Sequence, residues 1–151
     1  MENVVKAVTE KTLFSRTTSI QKHIHTDPDT LWNILVDGEK YTKWNSTITY
    51  FDGQIKKGAT IRLKSYLDEK RTFKLKVKEL IEGEKLVWGD GMGKRTFDLK
   101  ANDSGTLFSM SEKIGGPFFP LFAKMIPSFD EAFEKFVNDL ENEAIAIEIK
   151  N

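Results

Sequence analysis

Few residues of this 151-residue chain are placed to do chemistry, and Arg95 and Glu112 are the best placed. They belong to two alternating segments, 94–101 and 106–114, joined by Asn102-Asp103-Ser104-Gly105, a turn-rich tetrapeptide. If Ala101 pairs with Thr106 across that turn, antiparallel register sets Leu99 opposite Phe108, Phe97 opposite Met110 and Arg95 opposite Glu112. The first two pairs are apolar, so theirs is the buried face, and Arg95 and Glu112 must share it. A guanidinium and a carboxylate that partly desolvate one another form a natural anchor for the polar head of an apolar ligand. The bland alternative is a rim ion pair that satisfies only itself. The same two groups could instead serve a cyclase or dehydratase, with Glu112 as general acid or base and Arg95 stabilising developing enolate charge. The ion pair already occupies Glu112, which counts against that use. Neutral hydroxyls to assist it are few: Ser65, Thr106 and Tyr50.

Other chemistries are thinly supported. His23 and His25 stand two apart on one strand face, but no third histidine and no cysteine exists to complete a metal site. No metal and no cofactor is expected. Nothing resembles a nucleophile–base pair, a phosphate-cradling glycine loop, or an aromatic platform interleaved with basic residues. Lys+Arg and Asp+Glu both number 23, which argues against a nucleic-acid binder. The lack of cysteine excludes disulfides and fits a reducing compartment. No apolar run approaches the roughly 20 residues of a membrane span. The first residues also lack the apolar core of a secretory signal, so a cytoplasmic protein is expected. Peripheral membrane contact and oligomeric state stay open.

The elements that must position these residues read as follows. Residues 1–14 form an N-terminal extension or a lead-in to the first strand, and 15–151 form the ligand-binding domain. Ser15 to His25 is a strand with Ile20 and Ile24 on one face. Thr26 or Asp27 caps a helix that has Pro28 at its first position and Leu31, Trp32 and Leu35 as its apolar stripe. Gly38 is expected to end that helix in the left-handed conformation, before a second short helical turn closing on Trp44. Thr47 to Phe51 is a short strand. Ile61, Leu63 and Leu67 then alternate with Arg62, Lys64 and Tyr66, and Phe73, Leu75 and Val77 alternate with three lysines.

A loop from Asp68 to Thr72 would set Arg62 opposite Lys78 and Lys64 opposite Lys76 on the outer face. That is either a solvated surface or a docking patch for an anionic partner or membrane. Leu86 to Trp88 is a brief strand. Phe129, Phe133, Phe136, Leu140, Ala144 and Ile147 line one face of a long C-terminal helix. This helix either starts at a Ser128/Glu131 capping box after a break at Pro127, or runs on continuously with a kink there. Gly115-Gly116-Pro117-Phe118-Phe119-Pro120 is a stiff apolar loop, either a lid over a cavity mouth or a buried crossover. Eleven phenylalanines against three tryptophans and three tyrosines suit a greasy interior.

The chain resembles the START-like (SRPBCC) superfamily, the helix-grip fold of birch-pollen-allergen-like proteins and the polyketide cyclase/dehydrase family. The resemblance rests on Ile24, the run Trp32, Asp37, Tyr41 and Trp44-Asn45, Gly58, Leu86-Val87-Trp88 and Phe97-Asp98-Leu99. It continues through Gly105-Thr106, Glu112, Gly116, Phe133 and Phe136. It implies an α+β fold in which a seven-stranded antiparallel sheet wraps a long C-terminal helix, with two short helices after the first strand and a hydrophobic pocket between sheet and helix. The function then expected is binding of a small hydrophobic molecule such as a lipid, a quinone or a polyketide-like metabolite. Its contacts are expected from Trp44, Leu63, Leu75, Trp88, Arg95, Phe97, Met110, Glu112, Phe122, Phe129 and Phe133. No residue is assigned a catalytic role beyond the weak candidates Glu112 and Arg95.

Overall fold

A computed structural model describes residues 5–150. The strands are β1 (Val8–Lys11), β2 (Ser15–Ile24), β3 (Ile48–Asp52), β4 (Thr60–Ser65), β5 (Asp68–Ile81), β6 (Lys85–Gly89), β7 (Gly93–Asn102) and β8 (Gly105–Gly115). They form one antiparallel sheet in the order β1-β2-β8-β7-β6-β5-β4-β3. This is a meander from β3 to β8 whose last strand pairs with β2. The sheet has eight strands rather than the seven expected. The additional edge strand is β1, paired to β2 from Val8 opposite Ser19 to Lys11 opposite Arg16. It is short and mostly exposed, so it carries no apolar alternation to betray it.

The β7–β8 register is the expected one, with Arg95 opposite Glu112, Phe97 opposite Met110 and Leu99 opposite Phe108. The β4–β5 hairpin differs. Its turn is tighter, with Ser65 opposite Asp68 and a register shift between Leu63 and Ser65, so Arg62 opposes Lys74, not Lys78, and Lys76 opposes Thr60. The Ser65 hydroxyl accepts the Leu67 amide at 3.1 Å and stabilises this turn. From Thr60 to Leu63 the register differs from the expected one by an even number of residues, so those side chains keep their faces; the bulge changes parity only beyond Leu63, at the turn.

Helix α1 (Pro28–Leu35) begins as expected: the Asp27 carboxylate accepts the Thr30 amide at 2.9 Å. Hydrogen bonds from Thr30 hold the Asp27 carboxyl below the ordinary aspartate range. Gly38 does not end the helix. The cap is Val36, whose amide bonds the Trp32 carbonyl, and Gly38 opens a 3₁₀ turn (Gly38–Lys40) without a positive φ. Glycine is required there because a Cβ would overlap the Phe51 ring. Helix α2 (Tyr41–Trp44) follows and drives Tyr41 into the interior, where it is fully buried. The Tyr41 ring lies 5.0 Å from Phe51, 5.1 Å from Trp44, 6.1 Å from Trp88 and 6.5 Å from Phe136. Its hydroxyl donates to the Leu35 carbonyl at 2.5 Å, joining both short helices.

After β8 the chain makes helix α3 (Phe119–Phe122), a 3₁₀ turn (Ala123–Met125) and an extended segment at Ile126. It then enters helix α4 (Asp130–Lys150), so the two helical parts are separate and not one kinked helix. The expected Ser128/Glu131 capping box is not formed: the Ser128 hydroxyl accepts the Asp130 amide at 3.3 Å instead. Helix α4 lays Phe133, Phe136, Val137, Leu140 and Ala144 into the core, while Phe129 and Ile147 flank it. Polar ties fix it in place, with Glu141 on Lys22 at 2.8 Å and Asp139 accepting the Ser46 amide and hydroxyl at 2.8 Å. No helix among the described residues is long and apolar enough to cross a membrane.

Burial pushes the Tyr41 hydroxyl far above the ordinary tyrosine range, against a smaller opposite pull from Arg95. Tyr41 therefore stabilises the fold fully below the unfolded-state value of about 10. That contribution is lost at up to about 1.4 kcal/mol per pH unit as pH rises beyond it. Tyr41→Phe should lose about 1–3 kcal/mol at neutral pH by orphaning the Leu35 carbonyl. It should also flatten the decline above pH ~10. Urea unfolding of both proteins across that range reads both effects.

Candidate functional site

The apolar stripe of α4 seals only part of the inner sheet face. Toward the N-terminal end of α4 the cover thins, and a cavity of about 220 Å³ opens between sheet and helix. Its walls are Leu63 of β4, Phe73 and Leu75 of β5, Trp88 of β6, Arg95 of β7, and Glu112 and Ile114 of β8. Phe129 and Ala132 close it from the helix side, and the exposed members of the lining, Met92, Met125 and Pro127 together with Asp68, Arg71 and Lys94, stand at its opening. The lining is mostly apolar; the Arg95–Glu112 pair sits on one wall, and Asp68, Arg71, Asp90 and Lys94 also border the space.

In that pair Arg95 Nε donates to Glu112 Oε1 at 2.7 Å, with the side chains 18% and 19% exposed. The Arg95 guanidinium also lies 5.1 Å from the Phe133 ring centroid and 5.9 Å from that of Phe136. Two aromatic faces and one carboxylate thus fix its plane. Among the described residues, no protein group takes the hydrogen bonds of its terminal nitrogens.

A second arginine braces the site. Arg16 of β2 is buried, donating to the Ile126 carbonyl at 3.2 Å and the Pro127 carbonyl at 2.8 Å. Its guanidinium covers the Phe129 ring at 4.6 Å. Burial lowers the Arg16 pKa, while Glu112 and Asp130 pull it back up. Arg16 thereby holds the segment that walls the cavity opening. Sequence reasoning missed it, although the signal was there. Counting back by twos from Ile24 and Ile20 reaches Thr18 and Arg16, and both are buried on the inner face.

Of the residues expected to touch a ligand, the structure places Leu63, Leu75, Trp88, Arg95, Glu112 and Phe129 on the cavity wall, and the other five elsewhere. Phe97 and Met110 are on the inner face but lie under α4, where the Phe97 ring packs 4.9 Å from Trp88 and 5.6 Å from Phe136. Phe133 stacks behind Phe129, and Trp44 packs on Tyr41 and Phe136 with its indole Nε1 buried and unpartnered. Phe122 packs on Phe119 in α3. The hydroxyls divide similarly. Ser65 reaches the wall, Thr106 is buried and donates to the Thr26 carbonyl at 2.7 Å, and Tyr50 is exposed under Lys64. His23 and His25 lie at the surface, bonded to Asn102 at 3.0 Å and the Ser104 carbonyl at 3.3 Å. Among the described residues no three His, Cys, Asp or Glu side chains gather as metal ligands.

An eight-stranded antiparallel sheet closed by one long C-terminal helix over an apolar cavity is the helix-grip architecture of the START-like (SRPBCC) superfamily. Within it, the family described as Activator of Hsp90 ATPase homolog 1-like protein matches residues 25–142, most of the chain, and the chain belongs to that family. Solved structures share the fold at low identity. A protein of Rhodobacter sphaeroides is 19% identical with a TM-score of 0.69, covering 93% of this chain and 99% of its own. A conserved protein of unknown function from Enterococcus faecalis is 18% identical with a TM-score of 0.65, covering 89% and 74%. A protein in the dynemicin biosynthetic locus is 14% identical with a TM-score of 0.63, covering 83% of this chain and 46% of that one. No curated protein matches the chain in sequence. The fold is commonly a ligand-binding one.

The half-buried pair makes a stability prediction. Arg95→Met or Glu112→Met alone should destabilise by about 2 kcal/mol, below the 3–5 of a fully buried pair because water reaches this one. The double replacement should lose clearly less than the sum of the two, because neither charge is then left without its partner. Urea titration of all four proteins checks this.

Proposed function

We propose that this protein binds a small, predominantly apolar molecule in the cavity between its sheet and α4. The ligand classes that fit are lipids, quinones and polyketide-like metabolites. The observation that carries this reading is an apolar cavity with one oriented ion pair on its wall and unused guanidinium donors beside it. The Arg95 guanidinium uses one nitrogen on Glu112 and keeps its terminal nitrogens for a ligand. A hydrogen-bond acceptor on the ligand, neutral or anionic, would satisfy those donors. At about 220 Å³ the space is below the roughly 300–1,000 Å³ of drug-sized sites, so it suits a compact ligand or one portion of a longer one.

Ala132 gives the cleanest test, because it faces the cavity from α4 with nothing but a methyl group. Ala132→Phe should fold with unchanged circular dichroism and fill the space. Protein denatured after gentle purification should release a small molecule to mass spectrometry from the wild type and not from Ala132→Phe. Release of nothing from the wild type, or of equal amounts from both, would contradict the reading.

A further inference from the structure

Eleven large apolar side chains are exposed among the described residues, and six of them come from three neighbouring loops: Leu13, Phe14, Met92, Phe118, Leu121 and Met125. Scattered exposed apolar residues are ordinary, but a contiguous group is not. The three loops are bonded together, with Gly115 donating to the Met92 carbonyl at 2.9 Å and Gly116 to the Phe14 carbonyl at 3.0 Å. The patch borders the cavity opening, since Met92 and Met125 belong to both.

Local folding does not explain it. Around α3, Phe119 turns inward at 4% exposure, whereas Phe118, Leu121 and Met125 turn outward at 69%, 80% and 82%. These three come from the cap of α3, its third residue and the end of the 3₁₀ turn, and all three face solvent.

Free cations surround the patch. Lys94 and Lys113 oppose each other across β7 and β8 beside Met92 and Phe14, and Lys124 adjoins Met125. None of the three pairs with a carboxylate among the described residues. Against them stands Asp90, whose carboxylate accepts the Met92 and Gly93 amides at 2.8 Å and keeps its charge, so the lysines leave the patch net positive.

We propose that this end of the molecule docks on an anionic lipid bilayer. Phe118, Leu121 and their neighbours enter the headgroup boundary, the lysines meet lipid anions, and the cavity opening faces the membrane. A second copy of the chain is the poorer occupant, because a twofold contact would bring these lysines against their own counterparts. The docking itself stands on the surface alone. That it serves exchange of the cavity's ligand with the bilayer rests on the function proposed above.

The test is sedimentation of the full chain with vesicles of phosphatidylcholine, with and without phosphatidylserine. Binding should require phosphatidylserine, weaken with added salt, and fall by about tenfold or more in Phe118→Ser/Leu121→Ser and in Lys113→Glu/Lys124→Glu. Both double variants should keep whatever small molecule the wild type releases on denaturation, since none of the four residues lines the cavity. No vesicle binding, or wild-type binding by Phe118→Ser/Leu121→Ser, overturns the proposal. So does a wild-type dimer that the same variant turns into monomer while vesicles are ignored. Vesicle binding by a protein whose cavity releases nothing would uphold docking and defeat only the ligand reading.

Discussion

Helix α4 meets the sheet through two aromatic rings, Phe133 and Phe136, set against Phe97 and the Arg95 guanidinium, and this seam fixes the position of everything else. Phe136 also reaches Tyr41 and Trp44, so the same ring carries the short helices α1 and α2 into register with the sheet. Each fully buried phenylalanine is worth about 1.5–3 kcal/mol in transfer terms, and no polar tie of α4 comes close to the whole. The seam also decides where the interior stays open. The stripe Phe136-Leu140-Ala144 is buried in the core, whereas beyond Phe133 the helix presents only Ala132 and Phe129 to the cavity. The cavity is what remains there.

Electrostatics then give that space a direction. A charge placed on an apolar face is unfavourable unless it is paired and held. Arg95 is held by Glu112 and two rings, and Arg16 by two carbonyls and the Phe129 ring. Arg16 also links the polar wall to the opening, since the carbonyls it grips belong to Ile126 and Pro127. The segment beside the cavity opening is therefore pinned from inside by a desolvated guanidinium.

Much of this was legible in the sequence, for identifiable reasons. Strand parity holds along an unbulged hairpin such as β7–β8, so two apolar pairs suffice to orient Arg95 and Glu112, and the Pro28 and Asp27 signals locate α1. Parity assigns a face but not a depth. Phe97, Met110 and Phe133 were correctly placed on the inside, yet they pack beneath α4, because the height of the helix over the sheet is a tertiary quantity. The β4–β5 turn was read too long because Leu67 seemed to extend the apolar alternation, and only the Ser65 hydroxyl marks the tighter turn. Gly38 reads along the chain as a helix-ending position, whereas the reason for glycine is the Phe51 ring, a contact that sequence order does not reveal. Edge strand β1 lacks an apolar face altogether, and so lacks a signal.

The most direct measurement is a crystal structure of the protein purified without added ligand. The account predicts non-protein density between Trp88, Leu75 and Phe129, with a polar group within hydrogen-bond distance of an Arg95 terminal nitrogen. A cavity closed by inward movement of Phe129 and Ile126, or one holding only ordered water along the Arg95–Glu112 pair, would contradict it.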